Sequence, residues 1–134
     1  MRLCPNTLAQ FVIPAALTDD ESTQAMVRPG GRLYEQREAT IRELEKLDHL
    51  GLSFVKPCAA FYLFLKIDAK RYNITDDRKL CLDFLKAKHV MLINGSGFGW
   101  AEPDHVRIIM LPEAEKMAGA IRDLGDFLQG YRQE

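Results

Sequence analysis

The sequence predicts a small two-layer α+β domain, in which helices cover a sheet of short strands. Three observations lead to this fold class: short apolar runs typical of strands, longer runs with helical spacing, and a tight connection between the first two strands. The chain has 134 residues, of which 47% are hydrophobic and 28% are charged. This length and composition are typical of one globular domain with its own core.

The N-terminal part contains two predicted helices separated by a polar loop. Residues 5–18 carry apolar side chains at three- and four-residue spacings, which predicts a short amphipathic helix that Pro14 kinks or ends. Residues 19–31 are polar and end in Pro-Gly-Gly, a pattern typical of a loop. A stronger helix is predicted over roughly residues 32–48, and Gly51 is placed for a left-handed C-terminal cap.

The rest of the chain alternates strands and helices. Four strands are predicted here, at residues 52–55, 60–67, 90–93 and 105–111. The brief connection between the first two implies an antiparallel hairpin. The second strand is apolar on both faces, which predicts that it is central or covered. Helices are predicted after Asp76-Asp77 and after Pro112, because acidic residues and proline favour the first turn of a helix.

The charge balance argues against a nucleic-acid-binding protein. The chain has 18 basic and 19 acidic residues, without a cluster of lysine or arginine. No apolar run reaches the roughly 18 residues of a membrane span. Residues 1–17 resemble a signal peptide only weakly, because Pro5, Asn6, Gln10 and Pro14 interrupt the apolar run.

The cysteines and histidines give no metal-binding pattern. Cys4, Cys58 and Cys81 are far apart and form no CxxC pair, and the three histidines fall at no ligand spacing. We therefore expect reduced thiols in a cytoplasmic protein. Cys58 and Cys81 lie among apolar residues with no adjacent histidine, which predicts buried and unreactive thiols.

Arg107 is the residue that points most directly to a binding function. It lies in the run HVRIIML at residues 105–111, where every other residue except His105 is apolar. Such an arginine either holds a carboxylate through two parallel N–H···O bonds or faces solvent while its stem covers apolar neighbours. The pattern alone favours the solvent-facing alternative, because single arginines are common in strands.

Two further features of the sequence are candidate sites. Residues 94–100, NGSGFGW, form a glycine-rich loop, but this loop precedes a strand and lacks the Lys-Ser/Thr pair of a phosphate-binding loop. The alternative is a tight turn with a positive φ, with Phe98 and Trp100 packed down. His105 has only Asp104 as an acidic sequence neighbour, which favours a surface or strand-edge histidine over a general base.

Several motifs occur in an informative order. Residues 56–64 read KPCAAFYLF, and residues 94–99, NGSGFG, precede the arginine strand HVRI at residues 105–108. Together they resemble the P-x-G-A-F-Y strand, the glycine-containing loop and the substrate-arginine strand of fold-type I pyridoxal-phosphate (PLP) aminotransferases, in their C-terminal segment. Ala59 stands where that family usually has glycine. Three other segments are similar to the alanine-aminotransferase-like branch, at residues 1–6 with Gln10, 29–37 and 127–132.

The resemblance implies the family's C-terminal small domain, a small and mostly antiparallel sheet covered by helices on one side. It divides the chain into residues 1–31, a connecting helix and loop from an absent large domain, and residues 32–134, the small domain itself. The family's cofactor lysine and phosphate-binding residues belong to the large domain, which is expected upstream of Met1. We therefore expect a fragment that binds no cofactor covalently and is inactive by itself.

The resemblance also implies site residues and partners. Arg107 is expected to bind the carboxylate of the amino-acid and 2-oxo-acid substrates, and Tyr62, Phe98 and Trp100 to line or shield the substrate entrance. The parent is expected to be a homodimeric, cytoplasmic transaminase for amino acids of the alanine or glutamate type. The alternative is a stand-alone, non-enzymatic α+β domain that binds a small carboxylate or a partner subunit.

Overall fold

The computed structural model describes residues 6–134. Within them it contains five α-helices and four β-strands. In chain order these are α1 (Thr7–Thr18), α2 (Asp20–Val27), α3 (Arg32–Glu45), β1 (Leu52–Phe54), β2 (Tyr62–Ile67), α4 (Asp77–Lys88), β3 (Ile93–Asn94), β4 (His105–Ile109) and α5 (Ala114–Gly130). Two short 3-10 helices, at Asp48–Leu50 and Gly95–Phe98, complete the described secondary structure.

The four strands form one sheet in the order β1-β2-β4-β3, and every pairing is antiparallel. The predicted α+β class and the predicted hairpin between the first two strands are therefore confirmed. In the register of the sheet, Arg107 of β4 lies opposite Phe64 of β2 on one side and Ile93 of β3 on the other. Arg107 thus occupies the middle of the sheet rather than its edge.

The helices cover one side of this sheet. Leu63 and Leu65 of β2 and Val106 and Ile108 of β4 are buried in the core between the sheet and the helices. The side chains that alternate with them stay exposed or half-buried, because successive residues of a strand point to opposite faces. Six side chains of the two central strands lie on this uncovered side, and together they are called the open face below: Tyr62, Phe64, Lys66, His105, Arg107 and Ile109.

The prediction that the second strand is central or covered is met by its central position. Strand β2 is central, as its apolar sequence predicts, but it is not covered on both sides within residues 6–134, since Tyr62 is 41% exposed. The apolar character of Tyr62 and Phe64 therefore does not serve the core of this domain. An apolar sheet face of this kind marks a ligand or interaction surface.

The N-terminal region contains two helices rather than a helix and a loop. Helix α1 begins at the cap residue Asn6, whose side chain accepts a hydrogen bond from the Leu8 amide at 2.9 Å, and it continues through Pro14. The predicted polar loop contains α2, because the Asp19 carboxylate caps it by accepting from the Ser22 amide at 3.1 Å. The prediction for residues 1–5, Cys4 and Pro5 included, lies outside the described residues.

The bounds of β3 differ from prediction, whereas the predicted left-handed glycine is confirmed. Helix α4 ends at His89, which adopts a left-handed conformation with φ of 58°, so residues 90–92 serve as a connection and β3 is reduced to Ile93–Asn94. Gly51 has φ of 74° and caps the 3-10 helix that follows α3, which confirms the predicted left-handed conformation.

Candidate functional site

The candidate site is centred on Arg107, on the open face. Val106 and Ile108 enter the core, and the two-residue alternation of β4 therefore directs Arg107 to the opposite side. Since β4 is flanked by β2 and β3, the arginine has a strand on either side. The sheet thus presents a guanidinium near the middle of a surface that also carries the aromatic rings of Tyr62 and Phe64.

Two aromatic rings contact the guanidinium of Arg107. Its central carbon lies 4.6 Å from the centre of the Tyr62 ring and 4.1 Å from the centre of the Phe98 ring. Both distances are within the range of cation–π interactions. Tyr62 belongs to β2 and Phe98 to the glycine-rich loop, so two separate parts of the fold meet at this side chain.

Arg107 has no anionic partner within residues 6–134. Its side chain takes part in no hydrogen bond or ion pair there, and Nε is buried without an acceptor. The two Nη atoms are not buried and have no acceptor in this range either, so the arrangement leaves their N–H groups available to a ligand that brings acceptor oxygens. A carboxylate fits the planar guanidinium best, because its two oxygens accept two parallel N–H···O bonds.

The glycine-rich loop is held in place by Asp77, a buried residue at the start of α4. Its carboxylate accepts hydrogen bonds from the amide and the hydroxyl of Ser96, both at 2.7 Å. Gly95 packs so closely against β4 that a Cβ would lie 2.7 Å from the carbonyl oxygen of His105. These two constraints fix the turn that carries Phe98 to Arg107. The sequence identified Asp77 only as a residue that favours the start of a helix, and its contact with Ser96 was not predicted.

His105 and Trp100 form a second cluster on the same face. His105 Nδ1 lies 2.6 Å from Asp104 Oδ1, and the Trp100 indole N–H donates to the same oxygen at 2.9 Å. The His105 ring stacks on Phe64 with 4.8 Å between ring centres. Burial alone would raise the pKa of Asp104, but the hydrogen bonds from His105 and Trp100, together with nearby charges such as Lys66, lower the pKa below its usual value.

The environments expected for these side chains are confirmed in part and corrected in part. His105 is half-buried as the first residue of β4 and is paired with Asp104, so of the two predicted alternatives it fits the strand-edge position. Phe98 and Trp100 are 51% and 45% exposed, so they are not packed down as the turn interpretation expects. Gly99 does have a positive φ, at 77°, and the turn itself is confirmed. Tyr62 and Phe98 contact Arg107, whereas Trp100 contacts Phe64 and His105 instead.

The two described cysteines differ from each other. Cys58 is exposed, and its predicted burial is wrong because β2 begins only at Tyr62 and leaves residues 55–61 outside the sheet. Cys81 is buried in α4 as predicted, and burial raises the pKa of its thiol to about 12.

In the folded 134-residue chain, we expect iodoacetamide at neutral pH to alkylate Cys58 and to leave Cys81 unmodified, because Cys81 is buried and forms almost no thiolate. Peptide mapping before and after denaturation in urea measures both sites. The Cys81 thiol ionises near pH 9.0 in the unfolded chain but only near pH 12 in the folded chain. The free energy of unfolding therefore falls as the pH rises from 9.0 to about 12. Equal alkylation of Cys58 and Cys81 in the folded chain would contradict the assigned burial.

Residues 6–134 contain neither a metal-binding cluster nor a helix suited to span a membrane. No group of three or more histidine, cysteine, aspartate or glutamate side chains in this range is arranged to hold a metal ion. None of the helices in this range combines the length and the apolarity that crossing a membrane requires.

The fold and the site together define a one-sided α+β domain that presents an unpaired arginine on its open face. A family model described as "Aminotransferase class I and II" matches residues 2–124. The chain therefore belongs to the class I and II aminotransferase family.

Named relatives agree with this assignment. The chain is 46% identical over 134 residues to the glutamate-pyruvate aminotransferase AlaA of Escherichia coli, covering 99% of this chain and 32% of that protein. It is 44% identical over 133 residues to an alanine aminotransferase of Mycobacterium tuberculosis, covering 99% of this chain and 30% of that protein. A crystal structure of an aminotransferase from Escherichia coli superposes with a TM-score of 0.92 at 45% identity, covering 100% of this chain and 33% of that one.

The chain spans only about 30% of the length of these relatives. Its fold matches that of aminotransferase C-terminal domains, which confirms the small, antiparallel sheet covered by helices on one side. The sequence resemblance to the alanine-aminotransferase-like branch is confirmed as well.

Proposed function

We propose that this chain is the substrate-carboxylate-binding part of a transaminase that transfers an amino group between an amino acid of the alanine or glutamate type and a 2-oxo acid. The observation that carries the proposal is Arg107, a half-buried cation without an anionic partner in residues 6–134. The names of the relatives support the substrate class, since they include alanine and glutamate-pyruvate aminotransferases. The full-length protein that contains this chain is called the complete enzyme below.

Arg107 performs the same task in both directions of such a reaction. An amino acid and the 2-oxo acid made from it share a carboxylate next to the reacting carbon, so one guanidinium serves both substrates. Two parallel hydrogen bonds fix the plane of this carboxylate as well as its position. Fixing the plane orients the neighbouring carbon, and orientation of this kind lowers the entropic part of the barrier. The apolar residues around Arg107 strengthen the pair by limiting competition from water.

The family implies PLP in the complete enzyme, but the lysines of this chain do not fit covalent attachment to it. Six of the eight lysines form ion pairs with carboxylates at the surface. The other two, Lys70 and Lys86, are exposed. Covalent attachment to an aldehyde needs a lysine enclosed in a pocket with its amine free to attack, and these ion-paired or exposed positions do not provide it. We therefore assign cofactor attachment to the rest of the complete enzyme.

The N-terminal helices support a division of the chain at residue 31. Helix α1 buries none of its residues, and Phe11 and Leu17 are 79% and 81% exposed. Exposed apolar surface of this extent indicates a partner. We assign residues 1–31 to contact with the large domain and residues 32–134 to the small domain, and we expect a homodimer to complete the enzyme.

The proposal is tested by an assay of the complete enzyme loaded with PLP. With alanine and 2-oxoglutarate as substrates, we expect pyruvate and glutamate to form in equal amounts. An enzyme that is folded and loaded but transfers no amino group to any 2-oxo acid tested would favour the non-enzymatic alternative, a domain that binds a carboxylate or a partner subunit.

The role assigned to this chain has a separate test. PLP is added to the isolated 134-residue chain, the mixture is reduced with borohydride, and lysine adducts are measured by mass spectrometry. We expect no specific adduct, since the exposed lysines have no reason to react selectively. One lysine modified stoichiometrically at low PLP concentration would contradict the assignment of cofactor attachment to the rest of the enzyme.

A further inference from the structure

We propose that Tyr62 and Phe98 are positioning residues that hold the Arg107 guanidinium in the orientation in which it binds a carboxylate. The inference rests on the proposed function, and it adds the two side chains that prepare the arginine before the substrate arrives. The starting observation is that both rings lie within 4.6 Å of the central guanidinium carbon.

An arginine without partners does not hold one orientation by itself. Its side chain has several rotatable bonds, and ordering it costs up to about 2 kcal/mol of conformational entropy. An ion pair normally limits this freedom, but Arg107 forms none within residues 6–134. Within that range, the two aromatic rings are the observed contacts of its charged group.

Aromatic contacts restrain the guanidinium without using its hydrogen-bond donors. A cation–π interaction involves the flat face of the guanidinium or its charge, whereas carboxylate binding uses the N–H groups at its edge. An acidic residue in place of Tyr62 or Phe98 would restrain Arg107 as well, but it would occupy the same N–H groups as the substrate. The two rings therefore keep the guanidinium of Arg107 ordered and leave its N–H groups available to a carboxylate.

The three guanidinium nitrogens of Arg107 differ in burial, and this difference shows which end of the group a ligand can reach. Nε is the only one of them that is buried without a partner. The two Nη atoms have no hydrogen bond in residues 6–134 either, so they form the accessible end of the group. A carboxylate that approaches the open face therefore meets the Nη end, where both parallel hydrogen bonds are available.

The two rings are themselves fixed by different elements. Tyr62 lies in β2 directly opposite Ile109 of β4, so the sheet register sets its place. Phe98 depends on the glycine-rich loop, which Asp77 holds through Ser96. The orientation of Arg107 thus depends on the sheet and on the loop together, and either ring can be removed separately.

The experiment compares leucine and aromatic replacements in the complete enzyme. Y62L and F98L remove a ring but keep an apolar side chain, whereas Y62F and F98Y keep a ring at each position. F127L is the matched control for lost aromatic packing, because Phe127 contacts Phe84 and Tyr131 away from the open face. For each variant, KM and kcat for alanine and 2-oxoglutarate are measured together with Tm.

A second measurement does not depend on activity. In the complete enzyme labelled with ¹⁵N-arginine, the Nε–H signal of Arg107 is assigned by its loss in R107K, and its order parameter and exchange with water are recorded. Because Nε is shielded from solvent, we expect an ordered and slowly exchanging signal in the unmodified protein. We expect disorder and faster exchange in Y62L and F98L.

The expected kinetic effect is a rise in KM for both substrates of about 3- to 30-fold in Y62L and F98L, with a smaller change in kcat. Y62F and F98Y should stay within about twofold of the unmodified enzyme, and F127L should lower Tm without raising KM. Unchanged Nε–H order in both leucine variants would overturn the proposal. A rise of KM in F127L as large as that in Y62L and F98L would also overturn the proposal, because it would indicate that the rings of Tyr62 and Phe98 have only a structural role.

The two measurements separate the possible failures. If the unmodified enzyme transfers no amino group, the proposed function fails, and the Nε–H signal still decides whether the rings order Arg107. If the enzyme is active but the leucine variants keep normal KM and normal order, the positioning role of Tyr62 and Phe98 fails alone.

Discussion

Replacement of Arg107 by lysine in the complete enzyme is expected to lower kcat/KM for the amino acid and for the 2-oxo acid by about 30- to 1,000-fold. Lysine keeps the charge but cannot form two parallel hydrogen bonds to one carboxylate. Loss of a bidentate, charge-assisted pair costs about 2–4 kcal/mol, which corresponds to this range. Half-reactions followed separately with alanine and with pyruvate measure the effect on each substrate.

Arg122 provides a matched control for this substitution. Its side chain is 52% exposed on α5 and pairs with Glu115 at 2.9 Å, away from the open face. R122K should therefore change kcat/KM by no more than about twofold, because lysine keeps the charge and the partners of Arg122, Glu115 and Glu43, lie outside the open face. A normal kcat/KM in R107K, in a protein with normal Tm, would remove Arg107 from the substrate site.

Replacement of Asp77 by alanine is expected to lower the free energy of unfolding by about 2–4 kcal/mol and to release the glycine-rich loop. The buried carboxylate accepts two hydrogen bonds of 2.7 Å from Ser96, and its loss leaves an amide and a hydroxyl without their acceptor. Urea denaturation measures the loss of stability, and hydrogen exchange at residues 95–99 measures the release of the loop. KM should rise as well, since Phe98 loses its fixed position beside Arg107.

Three variants test the cause of this effect. D77N keeps one acceptor oxygen and should lose less stability than D77A. D77A and S96A combined should lose less than the sum of the single changes, because the two residues contact each other. D126A, at an exposed position, should change the free energy of unfolding by less than about 0.5 kcal/mol. Additive losses in the double variant would contradict the assigned contact.

The sequence predicted the fold class because its apolar periodicities are local signals. Helix α4 begins where the Asp76-Asp77 pair predicts, with Asp76 as its cap residue. Strand β3 was misplaced because His89 takes a left-handed conformation, which periodicity does not report. Cys58 was predicted to be buried because it lies beside an apolar run. It is exposed because strand pairing begins only at Tyr62, which leaves the residues before it outside the sheet.

The site was predictable only in part. Arg107 could be singled out from its apolar strand, but the pattern alone favoured a solvent-facing side chain, and only the family resemblance assigned it a ligand. The contact of Asp77 with Ser96 joins residues 19 positions apart, and no local pattern reports it. Gln133 is a similar case: its buried amide oxygen accepts from the Thr75 and Asp76 amides at 2.7 and 2.9 Å, across the chain.

The shortness of the outer strands restricts how this domain meets other molecules. The sheet ends in β1, with three residues, on one side and in β3, with two residues, on the other. So few free backbone groups give an added strand little to pair with, and growth of the sheet from chain to chain is disfavoured. A contact of this sheet with another polypeptide therefore depends on side chains, and its specificity lies in shape and chemistry rather than in backbone pairing.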